Sequence, residues 1–148
     1  MAIKDLSKKQ FVQDRDENIF IGIDLPFRKG DAEGWFASTT TTIESVKNNI
    51  RNLLQTHKGE RYLQPNLGLN LRDVLFEQFT DELRLKIEND ILDTFEYWLP
   101  FVEVRDLQIG MSPNPNDTSM NRLDITVLFN INKDPNSLQS VQVTIGDW

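Results

Sequence analysis

Residues 122–131 read Arg-Leu-Asp-Ile-Thr-Val-Leu-Phe-Asn-Ile, and Leu123, Ile125, Val127, Phe129 and Ile131 alternate through them without a break. Side chains two apart on a strand share a face, so this period marks a strand with five apolar groups turned toward a core. The segments on either side carry the same period. Upstream, Val102/Val104 and Leu107/Ile109 each alternate, but their phase slips at Arg105-Asp106, where a bulge would restore the facing. Downstream, Val141, Val143 and Ile145 alternate after the turn residues Lys133-Asp134-Pro135-Asn136-Ser137. The polar run Met111 to Asn121 reads as a long turn. Strands over 101–109, 122–131 and 138–146 then form an antiparallel meander, with 122–131 in the middle as short connections require.

Ahead of Pro100 the period is helical. Ile43, Val46, Ile50, Leu53 and Leu54 step by three and four, and Thr41 stands three residues before Glu44 as in a capping box. Lys58-Gly59 reads as the end of that helix, while Ser45, Lys47, Asn48, Asn49 and Arg51 fall off its apolar stripe and are expected to face water or a partner. Asn70 is placed to cap a short turn carrying Leu71, Val74, Leu75 and Phe76. A longer helix starts near Thr80, with Leu83, Ile87, Ile91, Phe95 and Trp98 as its buried stripe and Leu99-Pro100 as its stop. Glu82–Lys86 and Arg84–Glu88 are spaced for surface ion pairs. The predicted fold is α+β, two main helices packed on a C-terminal three-stranded antiparallel meander.

The remaining chain is simpler. Residues 1–18 carry too few apolar groups to offset the entropy of ordering, and read as a flexible arm ahead of a single domain over 19–148. Ile19 to Phe27 and Trp35-Phe36-Ala37 read as short strands or as segments laid over the core. The 148 residues hold no cysteine, which removes disulfides, thiolate nucleophiles and Cys–Zn sites. One histidine, His57, cannot build a multi-histidine metal site, and no cofactor or metal is expected. Sixteen Lys+Arg against twenty-three Asp+Glu leave a net charge of −7, which argues against nucleic acid and anionic membrane as partners. A mean hydropathy of −0.45 with no long apolar run gives no transmembrane span, and the polar start is not that of a signal peptide.

Chemistry concentrates between the helices, at Gly59-Glu60-Arg61-Tyr62-Leu63-Gln64-Pro65-Asn66-Leu67-Gly68 and Leu71 to Glu77. One reading makes Glu60 a general acid paired with Asp73 or Glu77, as in a muramidase-type glycoside hydrolase. The other makes Glu60 and Arg61 partners for loose backbone groups, half-buried and locking the turn, with Glu60→Ala costing about 1–3 kcal/mol. The second is preferred, because carboxylates are abundant in this chain and nothing fixes a separation between two of them. His57 and the threonines at 39–42 read as capping or surface residues, with no nucleophile elbow or glycine-rich phosphate loop near them.

The order of these features resembles the lysozyme-like baseplate wedge family of contractile-tailed phages, which also includes a baseplate component of type VI secretion systems. Leu25-Pro26-Phe27-Arg28, the helix from Thr42 to Leu54, Gly59, Glu60, Arg61, Pro65, Gly68 and Leu71 to Glu77 with Leu75 and Phe76 carry the likeness. The helix ending at Trp98 and the strand from Phe101 to Ile109 complete it, over roughly residues 19–145. The chain departs from the family at Gln64, where members often have Arg, and at Asn66-Leu67, where Asp-Phe is common.

The resemblance implies a structural protein without catalytic residues, seated in a virion tail baseplate assembled in the host cytoplasm. Its implied partners are other wedge proteins, the sheath subunit and the tube protein, in a multi-copy, six-fold assembly where it seeds sheath growth. A terminal meander suits that role, since an open strand edge binds another chain through main-chain hydrogen bonds. Of the two edges, 101–109 carries the bulge. The expected templating strand is therefore 138–146, through Val141, Gln142, Val143, Thr144 and Ile145.

Overall fold

Leu123, Ile125, Val127 and Phe129 are wholly buried, and they lie on the middle strand of a three-stranded sheet. The computed structural model describes residues 20–30, 35–113, 121–132 and 134–146, without the side chains of 113 and 134–137. The arm expected over 1–18 lies outside the described residues. In chain order the elements are β1 (Gly22–Ile23), β2 (Ser38–Thr39), α1 (Thr42–Gln55), α2 (Leu71–Val74), α3 (Asp81–Trp98), β3 (Val102–Pro113), β4 (Asn121–Ile131) and β5 (Asp134–Ile145). The chain divides into two compact units, Met1–Ile50 and Arg51–Trp148, with the division inside α1. The class is α+β.

In the second unit the strands run antiparallel in the order β3-β4-β5. The phase slip of β3 is a bulge: the register passes from Val104↔Phe129 to Asp106↔Leu128, leaving Arg105 unopposed. That extra residue keeps Val102, Leu107 and Ile109 buried on one side of the strand. Residues expected to turn are partly strand. β3 runs on to Pro113, and β5 begins at Asp134 opposite Ile131. The next pair is Phe129↔Gln139, so 135–138 stand opposite Asn130 alone, an irregularity where a proline without an N–H is tolerated.

α3 lies against β3 and buries Leu83, Ile87, Ile91 and Phe95, while Trp98 at its last turn is half-buried. Its start is capped as expected, the Thr80 hydroxyl accepting from the Leu83 N–H at 3.2 Å. At α2, Asn70 occupies the N-cap position but its side chain makes no capping bond. Ion pairs join Asp24 to Arg28, Glu103 to Arg105 and Arg122 to Asp124, whereas Glu82–Lys86 and Arg84–Glu88, expected along α3, do not form.

In the first unit β1 and β2 pair antiparallel, and further bonds extend the pairing outward. Asp24 N–H donates to Ala37 O at 2.9 Å, and Ala37 N–H to Arg28 O at 2.8 Å. Of the two expectations for these stretches, the short strands are what forms, and Phe20, Ile23, Phe27, Trp35 and Phe36 are exposed. Thr41 caps α1, its hydroxyl accepting from Glu44 N–H at 3.4 Å. Asn48, expected on the solvent face, is buried because its amide donates to Ile23 O and to Asp24 Oδ1. Gly22 permits that approach, since a Cβ there would stand 2.8 Å from Ser45 Oγ.

Candidate interaction site

α1 stops at Gln55, a turn short of the expected end at Lys58-Gly59. In a continuing helix Thr56 O would accept from Glu60 N–H. Instead it accepts from Leu69 N–H at 2.9 Å, and Glu60 N–H turns to His57 O at 3.1 Å. These bonds close residues 56–69 into a compact loop. Inside it Gly59 N–H donates to Pro65 O at 2.8 Å, and Gln64 and Leu67 N–H groups close further turns on Arg61 O and Gln64 O.

Glu60 and Arg61 both brace this loop. Glu60 Oε2 accepts from the His57 N–H at 3.0 Å, and Arg61 Nη2 donates to Asn52 Oδ1 of α1 at 2.9 Å. Both residues are exposed, not half-buried as expected, although His57 and Asn52, the residues they hold, are themselves half-buried. His57 takes part through its main chain, while its buried Nδ1 has no hydrogen-bond partner among the described residues. Gly59 and Gly68 adopt φ of +88° and +102°, and a Cβ on Gly68 would stand 2.1 Å from Thr56 O. Only glycine fits there. The frame leaves Tyr62 and Leu63 almost fully exposed, at 96% and 90%.

Leu71 to Glu77 follows as α2 and a turn. Leu71 and Leu75 are buried, while Phe76 is 87% exposed and Glu77 is exposed. Asn121 at the start of β4 donates from Nδ2 to Leu75 O at 3.1 Å. Gly146, with φ +101°, would set a Cβ 2.8 Å from Asn121 O and 3.2 Å from Leu75 Cδ1. The residues that sequence reading missed are thus Asn52, Asn121 and Gly146. Each serves a partner far along the chain, and residue periodicity carries no signal for such pairs.

Glu60 forms no hydrogen bond with Asp73 or Glu77. Those two carboxylates line a cavity of about 260 Å³ beside α2 that Glu60 does not line. Among the described residues no group of three His, Cys, Asp or Glu side chains stands where it could hold a metal ion, and no helix is long and apolar enough to cross a membrane.

β5 is one edge of the sheet within this chain, and β3 the other. Val141, Val143 and Ile145 are buried, Gln142 is exposed, and Thr144 donates to Asp124 Oδ1 at 2.8 Å. Asp124 is itself held by Arg122, at 3.0 and 3.2 Å. From Gln139 to Ile145 the pairing with β4 is uninterrupted. The β3 bulge interrupts only the beginning of its own edge, which pairs regularly from Asp106 to Pro113.

Taken together, these features define a small α+β protein marked by a braced loop between two helices and a sheet whose outer strands, β3 and β5, each pair on one side only among the described residues. The chain belongs to the baseplate wedge protein gp25 family, whose sequence profile matches residues 40–136. It is 23% identical over 108 residues to baseplate wedge protein gp25 of Enterobacteria phage T4, covering 73% of this chain and 78% of that one. Two solved structures share the fold. One is named as a tail lysozyme of Geobacter sulfurreducens, at 23% identity and a TM-score of 0.56, covering 71% of this chain and 90% of that chain. The other is a chain of the six-fold symmetrised anti-feeding prophage baseplate, at 22% identity and a TM-score of 0.53, covering 84% and 86%.

Proposed function

We propose that this protein is a structural wedge component of a contractile-tail baseplate that seeds the sheath by accepting a strand on the outer edge of β5. The observation that carries the reading is the edge over Gln139–Ile145, which pairs with β4 without interruption on one side and with no other strand among the described residues, on a strand anchored by Val141, Val143 and Ile145. Such an edge offers a row of main-chain donors and acceptors, and strand addition needs no catalytic residue. β3 is the weaker candidate because its edge starts with a bulge. Partners are then the sheath subunit on β5 and other wedge proteins on the braced loop of Gly59, Glu60, Arg61, Pro65 and Gly68. The tube protein lies within reach of a six-fold ring, assembled in the host cytoplasm.

The muramidase reading has one thing in its favour, the name of a structural neighbour. Against it, the Glu60 carboxylate is engaged by the His57 N–H, and the cavity that Asp73, Glu77 and Asp90 line does not include Glu60. A retaining or inverting glycosidase needs two carboxyl groups facing one bond.

Val143→Pro and Gln142→Pro test the edge. Neighbouring N–H groups on a strand point to opposite sides, so one of the two removes an outward donor and leaves the ladder to β4 intact. That variant is expected to fold, enter the baseplate and fail to nucleate sheath. Normal sheath on both folded variants overturns the β5 assignment. Peptidoglycan release by the native protein, abolished by Glu60→Gln, overturns the non-catalytic reading.

A further inference from the structure

The cavity beside α2 has no part in the strand-edge mechanism, and its chemistry is specific. Its floor is apolar, built from Leu71, Val74, Leu83 and Ile87, and its rim carries Asp73, Glu77 and Asp90 against the single cation Lys86. At about 260 Å³ it is smaller than the roughly 300–1,000 Å³ typical of small-molecule sites, and matches a pocket for the anchoring side chain of a protein partner. Three carboxylates against one ammonium leave the rim at −2. Phe76, on the same turn as the two rim acids Asp73 and Glu77, is 87% exposed, and adds aromatic surface of the kind enriched at protein interfaces.

From this we infer that the groove between α2 and the first half of α3 binds a segment of another baseplate protein in which an apolar anchor is flanked by arginine or lysine. The anchor packs on half-buried Val74 and on the little of Leu71, Leu83 and Ile87 that reaches the surface. The flanking cations meet Asp73, Glu77 and Asp90, which steer the encounter and fix the direction of the segment more than they add affinity. A second copy of this chain is a poor occupant, because the protein carries −7 overall and brings repulsion to an acidic rim. A free metabolite is disfavoured by the size of the cavity. This inference rests on membership of the baseplate wedge family and not on the use of β5.

The test uses the full chain in assembled, sheathless baseplates, with the photo-crosslinking residue p-benzoylphenylalanine in place of Glu77. Irradiation is expected to join it to a peptide of a different baseplate protein that holds an apolar residue with at least two Arg or Lys beside it. An adduct with an acidic or uncharged segment, an adduct with another copy of this chain, or no adduct in particles that contain the variant each overturns the inference. A second arm needs no crosslinker. The exposed double reversal Asp73→Lys with Asp90→Lys is expected to lower incorporation about tenfold at low salt while melting like the native protein. Native incorporation by that folded variant also overturns it. The β5 proline variants still form the adduct if only the strand-edge reading is wrong, so the two failures are distinguishable.

Discussion

Gly68 carries the sharpest constraint in the chain. Its φ of +102° lies where side chains are rarely tolerated, and a methyl group would fall 2.1 Å from the Thr56 carbonyl that closes the loop. Gly68→Ala is therefore expected to destabilise by about 3 kcal/mol or more and to open the loop, as followed by chemical denaturation and by loss of exchange protection at Leu69 N–H. Glu60 stands at the other extreme. It holds one main-chain donor from an exposed position, so Glu60→Ala should cost about 1 kcal/mol or less in the same denaturation series. A Glu60→Ala protein that melts nearly normally but fails to enter baseplates would show that the carboxylate touches a partner.

Asp24 adds a dependence on pH. The hydrogen bond from Arg28 holds its carboxyl below the ordinary range, with Asn48 helping and partial burial opposing. A carboxyl whose pKa is lower in the folded state stabilises above its unfolded value of about 4, and loses that contribution as pH falls through the lower folded value. Amide exchange at Ile21 and Asp24, which bond to Thr39 and Ala37, should quicken below about pH 4, and Asp24→Asn should remove that transition. An unchanged transition in the variant would assign it to another acid.

At the scale of elements, the parts legible in the sequence are those governed by period and punctuation. The alternation at Leu123–Ile131 predicts the middle strand, the slipped phase at Arg105-Asp106 predicts the bulge, and Thr80 marks the cap of α3. What was not legible depends on distant partners. Asn48 looks like a solvent-facing helix residue until β1 comes within reach of its amide. The end of α1 is set by Leu69, whose N–H takes the carbonyl the next helical turn would have used. The turn signal at Lys133–Ser137 is real, but a proline-containing bulge satisfies it inside β5. The exposed spacings along α3 form no ion pairs, consistent with the small gain such pairs offer in water. Core substitutions on α3 should behave as the packing demands: Ile91→Ala, at a wholly buried position, should cost about 2–5 kcal/mol by urea denaturation, while Leu85→Ala on the exposed face should cost less than about 0.5 kcal/mol.

For the whole molecule, the described residues combine a rigid loop and an open sheet edge, and neither requires a reaction. The two glycines Gly68 and Gly146 belong to one frame: Gly68 lets residue 69 return to α1, and Gly146 lets the end of β5 approach Leu75 and Asn121. Between them they tie the segment 56–77 and the last strand to the same unit, so load on the strand edge reaches the braced loop through packed structure. If β5 seeds the sheath as proposed, that stiffness serves it, because a template must hold its register while the first subunits join. The most direct measurement is a cryo-electron microscopy reconstruction of the assembled baseplate with its first sheath ring, at a resolution that separates strands. The account predicts a strand of the sheath subunit hydrogen-bonded along Gln139–Ile145. A bare β5 edge with the sheath subunit attached elsewhere, or a sheath strand paired with Asp106–Pro113 of β3, would contradict it.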